Sequence, residues 1–309
     1  MKVYAAWNPS AVQRQGSASG GVATMLARAV LEAGGVYFGT RWDEQMRPVV
    51  AWTETDVAPF MGSRYVQSRF DAAVREQLER FLAEGRTVLF VGTPCQVAAL
   101  QALREHPHLI CADLICHGTT PASYLEQELA FLAPGASLTD VHFREGPLFQ
   151  MSLWEKERCV HRRPAARSPY LHAYLSGLSL REACYRCPYA RPQRVGDITL
   201  GDFIGYPQPG VSFVMTHTPK GEEWLKRCGA ECEERSFDER AAYRPGLLEP
   251  TAPSALRPAF LKNMERMPFP QAVRKTLRGY FGGLPFRQAW KWLHHQAYLV
   301  KCVIKGQSQ

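Results

Sequence analysis

Three consecutive segments constrain the fold more than anything else in this 309-residue chain. "TVLFVGT" (87–93) is a short apolar run, "CQVAALQALREH" (95–106) carries apolar residues at helical spacing, and "LICADLIC" (109–116) is a second apolar run. A strand–helix–strand order joins parallel neighbours through a crossover, and strands so uniformly apolar are covered on both faces. The chain is therefore expected to be α/β, with a mixed sheet built around this unit and cofactor sites at strand ends.

The remaining pattern extends that unit. "KVYAAW" (2–7), "VYFGTRW" (36–42) and "PVVAWTE" (48–54) read as strands. "GVATMLARAVLEAGG" (21–35) and "FDAAVREQLERFLAEG" (70–85) read as amphipathic helices with glycine stops. From about Ala122 the rhythm gains α+β character. "SYLEQELAFLA" is helical, "SLTDVHFRE" and "SLWEKERCVH" each read as a strand, and "PYLHAYLSGLSLREACYRCPYA" is a helix running into a cysteine loop. "DITLGDF" and "VSFVMTHT" complete the strands, with "KGEEWLKRCG" as a helix. The domain division expected is a core over 1–242, then a proline-containing linker and basic helical tail over 243–309.

Charge is uneven. From Phe260 onward nine Lys or Arg face only Glu265, so the net +8 resides in the tail and the rest is balanced. Phe286, Trp290, Leu293, Ala297, Val300 and Ile304 fall on one helical face there. Such a helix can pack on the body, lie peripherally on an anionic membrane, or meet an acidic electron carrier. No nucleic-acid module accompanies the charge. No run reaches the ~20 apolar residues needed to cross a bilayer. "MKVYAAWNPS" lacks a signal-peptide core, so a cytoplasmic location is expected.

Nine cysteines, an odd number at irregular spacing, suit a reducing compartment and point to thiol chemistry rather than disulfides. Cys184 and Cys187 form a C-x2-C pair followed by proline, and Cys95 and Cys116 each follow an apolar strand. Four thiolates from these positions can form a metal or cluster site. Alternatively Cys95, at a helix start, is a nucleophile with His117 as its base. Cys111, inside "LICAD", reads as a buried hydrophobe. The neighbouring segments favour iron–sulfur over zinc, because they offer anion-cradling turns that a structural zinc does not use. "SASGG" places Ser17, Ser19, Gly20 and Gly21 at a helix start. "MGSRYVQS" supplies Gly62, Ser63, Arg64, Tyr65, Gln67 and Ser68, a set able to meet phosphate, ribose or a ring. There is no G-x-G-x-x-G, so nothing supports nicotinamide binding of the Rossmann kind.

Taken together, "SASGGVATMLARAVLEAGGVYFG", "GSRYVQSRF", "VLFVGTPCQVAALQAL", "LICADLICHG", "LREACYRCPYA", "DITLGDF" and "GVSFVMTHTPKG" resemble the beta-subunit family of coenzyme F420 hydrogenases and dehydrogenases. The resemblance covers roughly residues 1–225. It implies a flavin-dependent oxidoreductase that binds FAD and a [4Fe–4S] cluster, with F420 or another small molecule as hydride partner. By motif, Cys95, Cys116, Cys184 and Cys187 look like the cluster ligands. Ser19 to Gly21, Gly62 to Ser68 and Gly92, Thr93, Pro94 and Gln96 look like flavin and substrate walls. Asp202 of "GDF" is a candidate for a ribose hydroxyl or a turn, and His117 a tentative proton donor.

Many relatives begin with a ferredoxin-like module, whereas no cysteine precedes Cys95 here, so a separate ferredoxin-like carrier protein is expected to supply electrons. Arg64 stands where lysine is usual, and Ile204 where an aromatic is typical, which makes the substrate side the more divergent part. Two rival readings remain open: a redox-inactive, partner-binding member of the family, and a transferase dependent on Cys95 and His117.

Overall fold

The computed structural model describes residues 1–282 apart from Pro147 and Ala242; the apolar helical face read over Phe286 to Ile304 in the basic tail lies outside the described residues. The first strands are β1 (Lys2–Trp7), β2 (Val36–Trp42), β3 (Pro48–Thr53), β4 (Val88–Gly92) and β5 (Leu109–Leu114). Then come β6 (Asp140–Glu145), β7 (Leu148–Glu155) and β8 (Arg158–Pro164). The last are β9 (Ile198–Asp202), β10 (Ser212–Thr216) and β11 (Glu231–Glu234). Strands β6 to β8 form a separate antiparallel sheet, and the others form one eight-stranded sheet ordered β11-β1-β10-β9-β5-β4-β2-β3.

In the large sheet β2, β4, β5 and β9 are parallel, flanked by antiparallel β3 on one side and β10, β1 and β11 on the other. The mixed α/β sheet read from the sequence is thus the fold observed. Every residue of β4 is buried, as is all of β5 up to Asp113, matching their continuous apolar runs.

Helices α1 (Ala11–Gln15), α2 (Val22–Glu32), α3 (Ala72–Ala83) and α4 (Pro94–Ala98) belong to the first half. Of these, α2 buries Val22, Leu26, Ala27 and Val30, one helical stripe, against the sheet. On the opposite face α3 buries Leu78, Phe81 and Leu82. Full burial of such side chains is worth about 1.5–3 kcal/mol each. The α2 stripe starts where it does because Gly21, at φ 80°, turns the chain into the helix.

The second half adds α5 (Ala122–Leu132), α6 (Pro169–Leu175), α7 (Pro219–Arg227), α8 (Phe237–Ala241), α9 (Arg257–Met264), α10 (Phe269–Thr276) and α11 (Arg278–Gly282). A core of Phe143, Met151, Leu153, Tyr170, Phe260 and Phe269 joins the three-stranded sheet to α6, α9 and α10. Arg274 donates to both oxygens of the fully buried Glu128, at 2.9 and 2.8 Å, tying α10 to α5.

Local departures from the expected elements have specific causes. "SLWEKERCVH" is the end of β7, a turn and the start of β8. The chain reverses at Lys156, which takes φ 51° without the glycine or asparagine that usually marks such a turn. The segment 95–106 is one short helix followed by a 3-10 turn over Gln101–Leu103. No described helix is long and apolar enough to cross a membrane.

Candidate functional site

A cavity of about 390 Å³ opens beside the carboxyl ends of the parallel strands. Ser17, Ser19 and Gly21 line it together with the first turn of α2. The amides of that turn have no intrahelical partners, and Gly21 makes no side-chain cap, so the helix presents free N–H groups there. Gly20 lies behind the wall: its amide donates to Ser212 Oγ at 2.9 Å, and a Cβ there would meet the Ala6 carbonyl at 2.4 Å.

Gly62, Ser63, Arg64, Tyr65 and Ser68 form a second wall, while Gln67 is held away by its amide donating to the Thr120 carbonyl at 2.9 Å. Gly92, Thr93 and Gln96 form a third, and buried Pro94 opens α4 behind them. The Gln96 side chain accepts from the Thr93 amide at 3.0 Å and donates to Ser68 Oγ at 2.8 Å, which joins the second and third walls.

Asp202 also reaches the cavity, where its Oδ2 accepts from Arg144 Nη1 at 2.6 Å. Arg144 comes from β6, so this pair bridges the small sheet to β9 in the large one. The Arg144 guanidinium lies 4.6 Å over Phe149, and Tyr65 stacks on Tyr174 at 4.7 Å and on Phe149 at 5.7 Å. Tyr37, Arg144, Phe149, Tyr174 and Arg240 were not among the residues singled out from sequence, yet all line the cavity. Arg144 falls in "SLTDVHFRE", Tyr37 in "VYFGTRW" and Tyr174 in "PYLHAYLSGL", which read as an ordinary strand or helix, and nothing in the sequence marks Phe149 or Arg240.

Cys116 and His117 line the cavity's inner end; Cys95, Cys184 and Cys187 lie outside its wall. The four cysteines nonetheless come within electrostatic reach of one another. Burial pushes the Cys116 thiol up to about 12; the Gly118 amide pulls it down by donating to the sulfur, and Cys184, Cys95 and Cys187 each push it further up. Burial likewise raises Cys187, against amide donation from Tyr189 and Ala190, with Cys95 and Cys184 adding to the rise. Gly118, at φ 119°, brings its segment close to the pair: a Cβ there would meet Leu180 at 2.8 Å and Cys184 Cβ at 3.2 Å.

Among the described residues no three His, Cys, Asp or Glu are gathered tightly enough to hold a single metal ion. The four thiols are neighbours, a basket that does not make a closed zinc site. Four neighbouring thiols, two of which accept backbone amide hydrogen bonds at sulfur, offer the donor set that an iron–sulfur cluster would use.

His117 is committed within the protein. Its Nε2–H donates to the Tyr174 carbonyl at 3.2 Å, and Nδ1 lies 3.2 Å from Thr251 Oγ1, whose hydroxyl donates to the His117 carbonyl at 2.6 Å. Burial lowers its pKa, partly opposed by the Tyr174 and Leu175 carbonyls, which favours the neutral ring. Cys111 is buried in β5, and burial raises its thiol to about 12, as a core residue should behave.

A chain of the F420-reducing [NiFe] hydrogenase complex from Methanosarcina barkeri has a similar fold, with a TM-score of 0.54 and 18% identity over 90% of each chain. No curated protein matches the sequence. The family model for the C-terminal part of the coenzyme F420 hydrogenase/dehydrogenase beta subunit matches residues 85–239, half of the chain, including all four basket cysteines. The chain therefore belongs to the coenzyme F420 hydrogenase/dehydrogenase beta-subunit family.

Proposed function

We propose that this protein is an oxidoreductase that uses FAD and a [4Fe–4S] cluster to exchange electrons with an F420-like deazaflavin or another small hydride partner. The observation that carries the reading is a single cavity running from the amide-rich start of α2 to Cys116, one of four neighbouring thiols. When bound, the flavin supplies the link between two-electron and one-electron chemistry.

The chain's own residues have definable roles in this reading. The first turn of α2, with Ser17 and Ser19, receives phosphate oxygens. Arg64 adds positive charge at the second wall. The Tyr65, Phe149 and Tyr174 faces bound a space suited to a planar ring, and Arg144 and Asp202 orient polar edges beside it. Cys95, Cys116, Cys184 and Cys187 hold the cluster, with the amides of Gly118, Tyr189 and Ala190 stabilising negative sulfur. His117 stays neutral and fixes the segment after Cys116 against α6.

The transferase alternative needs a ring nitrogen of His117 for Cys95, and both nitrogens already face protein partners. The flavin–cluster reading is therefore favoured. Exposed Arg186 and Arg191, flanking Cys187, give an acidic electron-carrier protein a place to approach the basket. Anaerobic purification followed by iron, sulfide and flavin assays tests the assignment. Cys184→Ser is expected to lose most cluster absorption while keeping the fold by circular dichroism; a full and stable cluster in that variant rejects the ligand set.

A further inference from the structure

Between Cys187 and β9 lies Arg194, whose guanidinium and whose partner Asp113 are both fully buried. All five of its N–H donors are used. Nε and Nη2 donate to Asp113 Oδ1 at 3.2 and 2.9 Å, and Nη2 also donates to the Leu114 carbonyl at 2.8 Å. Nη1 donates to the Tyr189 carbonyl at 3.1 Å and to the Gly246 carbonyl at 3.2 Å.

The three carbonyls belong to three segments that meet at the thiols. Leu114 ends β5 two residues before Cys116. Tyr189 is the residue whose amide donates to the Cys187 sulfur, so it is held from both ends. Gly246, at φ 77°, packs on Cys116 itself: a Cβ there would meet the Cys116 carbonyl oxygen at 2.7 Å. Asp113 is locked in turn by the Val195 and Gly196 amides at 3.1 and 3.0 Å and by Thr199 Oγ1 at 2.7 Å.

We infer that Arg194 is a positioning residue for the thiol basket: one buried, charge-neutralised guanidinium sets Cys116 against Cys187 before any cofactor arrives. The planar fork is what makes this possible, since five donors in fixed directions reach four acceptors on three segments, which the three donors of a lysine do not reproduce. The inference rests on the reading of the thiols as cluster ligands and extends it to the groups that place them. Arg274 offers an internal contrast, a half-buried arginine that joins helices α5 and α10 through the buried Glu128.

The test uses the full chain, purified anaerobically as the parent, Arg194→Lys, Gly246→Ala and Arg274→Lys. Iron per chain, cluster lifetime under a chelator and thermal unfolding are measured on each. Arg194→Lys and Gly246→Ala are expected to shorten the cluster lifetime by about tenfold or more at temperatures where both are folded. Arg274→Lys is expected to lose thermal stability with an unchanged cluster lifetime. A lifetime in Arg194→Lys equal to the parent's overturns the inference, and if that variant does not fold, Gly246→Ala decides in its place.

Should the parent bind no iron, the cluster reading fails, and the clamp is judged on the metal-free thiols. Alkylation of Cys116, measured by mass spectrometry relative to the exposed Cys95, is then expected to accelerate by about tenfold in the folded variant, as for a lost supporting contact. An unchanged ratio overturns the positioning role independently of the cofactor.

Discussion

Two arginines, the fully buried Arg194 behind the thiols and the half-buried Arg64 in the cavity wall, are treated in opposite ways. Arg194 meets a carboxylate, and every donor it has is used. Arg64 braces its own loop through the carbonyls of Pro59, Phe60, Met61 and Gly62 at 2.8 to 3.2 Å, and leans on Trp42 at 5.4 Å. Among the described residues its buried Nε has no hydrogen-bond partner and no carboxylate forms a salt bridge with it. Burial pulls its pKa down to about 10, with Asp140 and Tyr37 opposing. A neutralised buried charge organises backbone; an uncompensated one beside a cavity is a cost that an anionic ligand relieves.

This contrast can be broken by substitution. Arg194→Met strands the Asp113 carboxylate in the interior and should cost about 3–5 kcal/mol, seen as a large drop in denaturant midpoint. Arg64→Met loses carbonyl contacts but also removes an unpaired buried cation, so the cofactor-free stability should move by about 1 kcal/mol or less. Flavin affinity in that variant should nevertheless fall by about tenfold, the loss of one charge-assisted contact, as read by fluorescence titration. If instead Arg64→Met unfolds the protein and leaves flavin binding intact, the distinction between the two arginines is wrong.

Glu222 sharpens the same point with the sign reversed. Burial raises its carboxyl, but donation from Thr216, Tyr4, Lys2 and Lys226 outweighs this and holds it at about 2. A depressed carboxylate stabilises the fold above its unfolded value of about 4.3. That stability is lost as pH falls toward about 2. The parent should therefore exceed Glu222→Gln by about 1–2 kcal/mol near neutrality, after allowance for solvent screening, and the gap should close between pH 5 and about 2 in acid titrations. The smallest effect belongs to exposed cations. Reversing Arg186 and Arg191 to Glu should slow reduction by an acidic carrier only several-fold, and only at low ionic strength. A salt-independent rate would remove that docking face.

The parallel core was readable because burial on both faces writes itself as continuous apolar strands, and helix stripes as period-3.6 spacing ended by Gly34 and Gly85. Ser17, Gly62 and Thr93 were readable because turns and helix starts demand particular residue types. The β7–β8 reversal was not, since Lys156 adopts a left-handed turn conformation that its side chain does not advertise. Tyr37 and Tyr174 were not either, because an aromatic beside a cavity and one inside a core look alike in sequence.

Local chemistry thus determined most of the elements that form and marked the turns and thiols that stand out as site candidates, because propensity, capping and thiol spacing act over a few positions. Only the tertiary structure decided that residues 58 positions apart, Arg144 and Asp202, would bridge two sheets across the cavity. It also decided that Arg194 would reach back 81 positions to Asp113 and gather the carbonyls of Leu114, Tyr189 and Gly246 around one guanidinium. Contacts at that separation depend on how strands are ordered in the sheet, and strand order is set by packing the whole core, which no short stretch of chain encodes.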